Sequence, residues 1–318
     1  MNGFFLHLSI ADWVNGALET FVARYGDSFH HFSALLLRCL LVPLEGALRA
    51  APPWLVLLAV GAIAWNATRR AGLGVLFMLL LYAIGCFGLW DKLMQTLALM
   101  LVATVLSVAI GVPFGILASR SPWLRRMLLP VLDVMQTLPS FVYLIPVLML
   151  FGLGKVPAIL ATIIYALPPL IRLTDLGIRH VDPDVTEAAR AFGTTRWQLL
   201  VNVQLPLARP SIMAGINQTT MMALSMVVIA SMIGSRGLGE DVLAGIQTMD
   251  VGKGTQAGIA IVILAIVIDR ISQGFGQERR ARRRLAQQRR QKSASRVPYR
   301  LPRKASSPGV DSNQPAQS

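Results

Sequence analysis

Cysteine is nearly absent. Cys39 and Cys86 lie far apart in apolar runs, with no spacing that makes a disulfide framework or a metal site. Charge is scarce at 14% of residues, and acid is scarcer still, with 16 Asp and Glu against 30 Lys and Arg. No G-x-x-x-x-G-K-S/T phosphate loop occurs. The two Gly-Lys pairs, Gly154-Lys155 and Gly252-Lys253, are followed by Val156 and Gly254 and lack the upstream glycine, so the chain is not expected to bind ATP by itself. There is no H-E-x-x-H, no G-x-S-x-G and no paired carboxylate on one apolar run, which leaves hydrolysis and intramembrane proteolysis without their reacting groups. His30-His31 lacks other ligands at metal spacing and reads as surface histidine. The opening MNGFFLHLSIADW has no basic stretch leading into an apolar run and a small-residue cleavage site, so no signal peptide is expected.

What the chain has is apolar surface. Its 318 residues are 54% hydrophobic with mean hydropathy +0.57. Too few polar groups exist to cover such a chain in water, so an all-α polytopic membrane protein is expected. The net charge of +14 is concentrated at the end. From Gln277 onward twelve Lys and Arg stand against Glu278 and Asp311, leaving +4 for everything before. This tail reads as a basic segment near anionic lipid rather than a nucleic-acid arm.

Residues 1–52 mix aromatics with charges and read as amphipathic helix lying on a membrane surface. Seven spans follow, judged against the roughly 20 apolar residues a bilayer needs: Pro53–Ala67, Ala71–Trp90, Leu93–Ala118, Met127–Phe151, Val156–Leu173, Ser211–Gly234 and Gly258–Ile271. Residues 53–92 form an accessory pair, 93–273 the main domain, and 274–318 a basic, disordered tail. Short loops alternate in charge. Arg69 and Arg70, then Arg120, Arg125 and Arg126, then Arg172 at the end of the fifth span with Arg179, Arg190, Arg196 and Arg209 after it, mark the cytoplasmic side. Lys92, Lys155, Arg236 and Lys253 fall on the other side. The N-terminus is therefore expected outside and the C-terminus in the cytoplasm.

Polar residues within spans need a reason, since an Asp at mid-bilayer costs about 2.5–3.5 kcal/mol on insertion scales. Asp133, Gln136 and Ser140 are spaced to share a helix face in the fourth span, beside Thr137. Asn217 and Gln218 lie in the sixth, and Asp269 with Arg270 ends the seventh as an interfacial pair. Two readings stand for the mid-span groups: a lined pathway, or hydrogen bonds between helices.

The longest polar interruption after Trp54 runs from His180 to Gly215 and reads as a helix–turn–helix. Asp182-Pro183-Asp184 is a start signal, and Gly193 suits a left-handed stop. Thr195 with Gln198 makes a capping box, and Pro206 and Pro210 are expected to close the second helix. Tethered between spans, it reads as a docking surface rather than a DNA reader.

Within it, Glu187-Ala188-Ala189, three residues, Gly193, nine residues and Val203-Gln204-Leu205-Pro206 resemble the EAA motif of permease subunits of binding-protein-dependent ABC importers. That family has Ile where Val203 stands. VLDVMQTLPSFVYLIPVLMLFGLGKVP and INQTTMMALSMVVIASMIGSRGLGEDVLAGI look like its glycine betaine, proline betaine and choline branch, over about Leu93–Gln273. The resemblance implies a type I importer permease fold in the bacterial inner membrane, with the EAA loop at 182–210 forming a cytoplasmic coupling helix. It implies a homodimer working with two ATPase subunits and an extracytoplasmic solute-binding protein. ATP and Mg would belong to the ATPase, with no cofactor in this chain. Glu187, Ala188, Ala189, Gly193, Leu205 and Pro206 fall at ATPase-coupling positions. The implied cargo is a quaternary-ammonium solute, whose cation suits aromatic faces. That adds Phe141, Tyr143 and Tyr165, for each of which core packing is the competing role, to the pathway candidates Asp133, Gln136, Ser140, Asn217 and Gln218. The rival readings are an ABC permease for another amino acid and an ATP-independent secondary transporter.

Overall fold

The structure is a computed structural model that describes residues 16, 20, 24, 31 and 34–294, with side chains described to residue 275. Contacts divide the chain into Met1–Glu278 and Arg279–Ser318. The packing below belongs to the first unit; in the second, residues 279–294 are helical.

Every element is helical among the described residues. In order these are α1 (Ala34–Ala50), α2 (Pro53–Thr68), α3 (Ala71–Cys86), α4 (Trp90–Arg120), α5 (Pro122–Thr137), α6 (Leu144–Phe151), α7 (Lys155–Arg179), α8 (Pro183–Ala191), α9 (Arg196–Ile233), α10 (Leu238–Gln247) and α11 (Val251–Ala294). Four of them, α4, α7, α9 and α11, are long and apolar enough to cross a bilayer. At 1.5 Å per residue a 25-residue helix reaches about 37 Å. Two bent pairs raise the number of crossings to six if each is one span: α1 with α2, at 107°, and α5 with the Ser140–Phe151 segment, at 112°. Among the described residues four to six crossings thus meet the length and composition of a span, and α3, the second of the seven read from the sequence, is a shorter apolar helix.

The fourth expected span, Met127–Phe151, is corrected most. It is not one run: α5 ends at Thr137, Leu138 turns extended, and a 3₁₀ turn over Ser140–Tyr143 starts a new direction into α6. The reason is Pro139, which disfavours helix at the residue before it and cannot donate within it. Ser140 consequently leaves the face it was expected to share with Asp133 and Gln136. The end of the seventh span also moves, since α11 runs unbroken from Val251 to Ala294. Residues 274–294, read as disordered, are helical; 295–318 lie outside the described residues, as does most of 1–33.

α7 is the hub, with 67% of its most apolar window buried against 39% for α4 and α9 and 22% for α11. Small residues let α4 and α9 approach it. A Cβ on Gly115 would stand 2.5 Å from Cβ of Thr174 and 2.9 Å from the Ile171 carbonyl; one on Gly111 would meet Leu170 at 2.8 Å. Gly177 faces Ser211 of α9 in the same way, at 2.6 Å. Small-residue contact replaces the hydrophobic drive that helices lose inside lipid. Leu170, Ile159, Leu99 and Met226 fill the core between them.

Candidate functional site

The α7–α8–α9 junction is built from local signals. The Asp182 side chain accepts from Asp184 N–H at 3.0 Å, and Pro183 occupies the first turn, so α8 starts with a cap and a pre-set φ. Gly193 takes φ +79° and turns the chain. Thr195 and Gln198 form the reciprocal box, with Thr195 N–H donating to Gln198 Oε1 at 2.9 Å and Gln198 N–H to Thr195 Oγ1 at 3.3 Å.

The second helix does not stop at its prolines. It continues as α9 through Pro206 and Pro210. A π turn over Leu199–Gln204 precedes Pro206, and the Leu205 N–H reaches back five residues to the Leu200 carbonyl. That wider turn gives the ring of Pro206 room and shifts the ladder where proline cannot donate. The junction is thus one short helix joined to the start of a long one.

Glu187, Ala188 and Gly193 are exposed, Ala189 and Leu205 are half-buried, and Pro206 is exposed. Two large apolar side chains flank them in the open, Phe192 at 90% and Trp197 at 69% exposure. Sequence reading did not single out Phe192 as part of this surface; an aromatic directly before a helix-ending glycine was the available signal. No residue of α8 is buried. The surface presents a rigid, capped helix with an acid, a small-residue pair and an aromatic rim.

The pathway candidates do not converge. Asp133 pairs with Arg172 of α7, and one turn on Asp175 receives Arg125 Nε at 3.1 Å, so two opposed ion pairs join α5 to α7. Asn217 donates to Asp269 at 3.1 Å, and Gln273 donates to the same carboxylate at 2.8 and 2.7 Å. Asp269 therefore ties α9 to α11 rather than forming an interfacial pair with Arg270. Gln136 and Gln218 are exposed, Ser140 is half-buried and Phe141 is half exposed. Tyr143 is buried, donates to the Met135 carbonyl across the α5–α6 bend, and lies 6.1 Å from the Tyr165 ring at 57°.

At the other end of the molecule from α8, the lysines expected in the opposite loops are each clamped by acid. Lys155 Nζ lies 2.7 Å from Glu45, Lys92 Nζ 2.5 Å from Asp241, and Lys253 Nζ 3.6 Å from Asp241. Arg49 adds a 2.5 Å pair to Asp91, so α1 is tied to α4 and α7. The sequence shows these carboxylates only as scattered acids.

This helical arrangement, a buried hub flanked by bent helices with a capped helix in one loop, is shared with a type I ABC importer permease. The inward-facing methionine ABC transporter MetNI has this fold, with a TM-score of 0.54 at 21% identity over 59% of this chain and 94% of that one. Residues 111–280 match the family described as binding-protein-dependent transport system inner membrane component, and the chain belongs to that family. It is 52% identical over 231 residues to the glycine betaine/proline betaine transport system permease protein ProW of Escherichia coli, covering 73% of this chain and 65% of that protein. The Salmonella typhimurium ProW is 53% identical, over 69% of this chain and 62% of its own length. The chain thus spans less than two thirds of either. The glycine betaine transport system permease protein OpuAB of Bacillus subtilis is 46% identical, over 73% and 82%.

Proposed function

We propose that this chain is the membrane-spanning subunit of an importer for a quaternary-ammonium compatible solute such as glycine betaine, proline betaine or choline. The observation that carries the reading is the 52% identity, over 73% of the chain, to a permease whose name gives the two betaines. The 21% likeness to the methionine transporter extends to fold alone. A chain without a phosphate loop needs a partner to hydrolyse ATP, and a multi-pass permease of this family needs a binding protein to deliver its solute. In this reading α8 is the cytoplasmic coupling helix. Glu187, Ala188, Ala189 and Gly193 seat in a cleft of the ATPase, and Leu205 and Pro206 fix the start of α9. ATP-driven closure of the ATPase pair then rotates the helices of two permease copies and opens a path between them.

Phe141, on the exposed side of the α5–α6 bend, is the aromatic candidate best placed to meet an ammonium cation. Tyr143 and Tyr165, whose rings lie 6.1 Å apart, are the other two aromatic candidates. Asp133, Gln136, Ser140 and Gln218 remain candidates for the path, with Asn217 braced on Asp269.

The test is uptake of labelled glycine betaine and of methionine by proteoliposomes holding this chain, its ATPase and its binding protein. Betaine uptake that needs all three components is the expected result. Uptake by the chain alone makes it a secondary transporter, and uptake of methionine alone changes the substrate. Glu187→Lys is expected to leave the protein in the membrane and lower both uptake and solute-stimulated ATP hydrolysis. Unchanged rates in that variant remove the coupling role from α8.

A further inference from the structure

Beneath α8 lies an open groove of about 760 Å³ whose charged lining is entirely basic: Arg120 at the end of α4, Arg179 at the end of α7, Arg190 on α8 and Arg196 at the start of α9. All four are exposed. Among the described residues no carboxylate lies within ion-pairing distance of any of them, whereas Arg49, Lys92, Arg125, Lys155, Arg172 and Lys253 all have one. Arg120 Nη2 donates to the Arg196 carbonyl at 2.8 Å, which sets one guanidinium across the groove and leaves its other N–H groups free.

Helix dipoles account for part of this. Arg120, Arg179 and Arg190 stand in last turns, where cations are favoured. Arg196 opens α9 at the positive end, where a cation is disfavoured and an anion is welcome. The hydroxyls of Ser119, Thr186 and Thr194 donate to the carbonyls of Ile116, Pro183 and Ala189 at 2.7, 2.8 and 2.8 Å, so the free charged donors are the guanidinium groups. Four like charges around one groove repel each other, and a ligand with several charged oxygens reverses that sign.

We propose that this groove binds a phosphate-bearing polyanion and that the ligand ties α8 to the ends of α4 and α7. Guanidinium forks match phosphate oxygens in pairs, and four of them suit a doubly or multiply charged group better than a single carboxylate. The phosphate has two sources, a soluble diphosphate or a lipid headgroup. Bound there, it stiffens the helix that presents Glu187, so occupancy sets how rigidly a push on α8 reaches the bundle. The site rests on the groove alone and stands whether or not the chain carries betaine.

The experiment compares the full-length protein with R190Q/R196Q and with R126Q/R209Q, which removes the same charge from exposed arginines outside the groove. In the first arm, inorganic pyrophosphate is titrated calorimetrically into detergent-purified protein at low salt. In the second, thermal midpoints are read in phosphatidylcholine liposomes with and without phosphatidylglycerol. A soluble ligand gives binding that weakens about tenfold or more in R190Q/R196Q and is unchanged in R126Q/R209Q. A lipid ligand gives a phosphatidylglycerol-dependent rise in midpoint that only R190Q/R196Q loses. The basic tail is present in all three proteins, so its binding cancels. The two double variants responding alike in both arms overturns the proposal. So does a polyglutamate peptide that displaces pyrophosphate and binds more tightly, because the groove then holds a protein segment.

Discussion

At the residue scale, burial separates two ion pairs that look alike. The Asp175 carboxylate is 5% exposed and receives Arg125, while Asp133 is 61% exposed and receives Arg172. Removing one partner of a buried pair strands the other charge, whereas a solvated pair offsets little more than its own ordering cost. Asp175→Ala is therefore expected to cost about 3 kcal/mol, the low end for a buried pair because Arg125 keeps some exposure. Asp133→Ala is expected to cost less than about 1 kcal/mol. Thermal midpoints of the two purified variants, compared with the parent, check the order; equal losses reject it. A second contrast lies in the glycines. A methyl on Gly115 enters the space of Thr174 and the Ile171 carbonyl, while Gly258 has nothing within 4 Å. Gly115→Ala is expected to destabilise by about 1–3 kcal/mol through overpacking. Gly258→Ala is expected to be neutral or to stabilise by up to about 1 kcal/mol through helix propensity. The same melting measurement separates them.

At the element scale, the junction between α7 and α9 shows how much the sequence carries. Asp182, Pro183, Gly193, Thr195 and Gln198 each act within four residues along the chain, and each does in the structure what its type implies. Asp182→Ala removes one accepted hydrogen bond from an exposed helix. It is expected to cost α8 about 1 kcal/mol, seen as faster amide exchange over 183–191 with no change in α7. The prolines mislead because their effect depends on what lies beside them. Pro139 breaks a span, while Pro206 is carried inside a helix by a π turn that Leu199–Gln204 does not advertise. Long-range pairs are hidden for a related reason. Nothing near Asp133 in sequence says that Arg172 is its partner 39 residues later. A helix face is legible from spacing, but its neighbour is not.

At the scale of the whole molecule, the ends differ in what their charges do. The lysines at one end, Lys92, Lys155 and Lys253, are held by Glu45 and Asp241 in pairs that join α1 to α7 and join α4 and α11 to α10. The arginines of the α8 groove are exposed and, among the described residues, have no carboxylate within ion-pairing distance. The excess of Lys and Arg in the loops at the α8 end is the pattern expected of a cytoplasmic side. The expected orientation, with the α8 end in the cytoplasm, is open to direct measurement. Phe192 and Met249 are 90% and 89% exposed, one beside α8 and the other between α10 and α11. With Cys39 and Cys86 replaced by serine, a cysteine is placed at one position or the other. A membrane-impermeant maleimide added to intact spheroplasts is expected to label Met249→Cys at once and Phe192→Cys only after lysis. The reverse pattern turns the molecule over. It puts α8 out of reach of any cytoplasmic ATPase and removes the physical basis for coupling through Glu187.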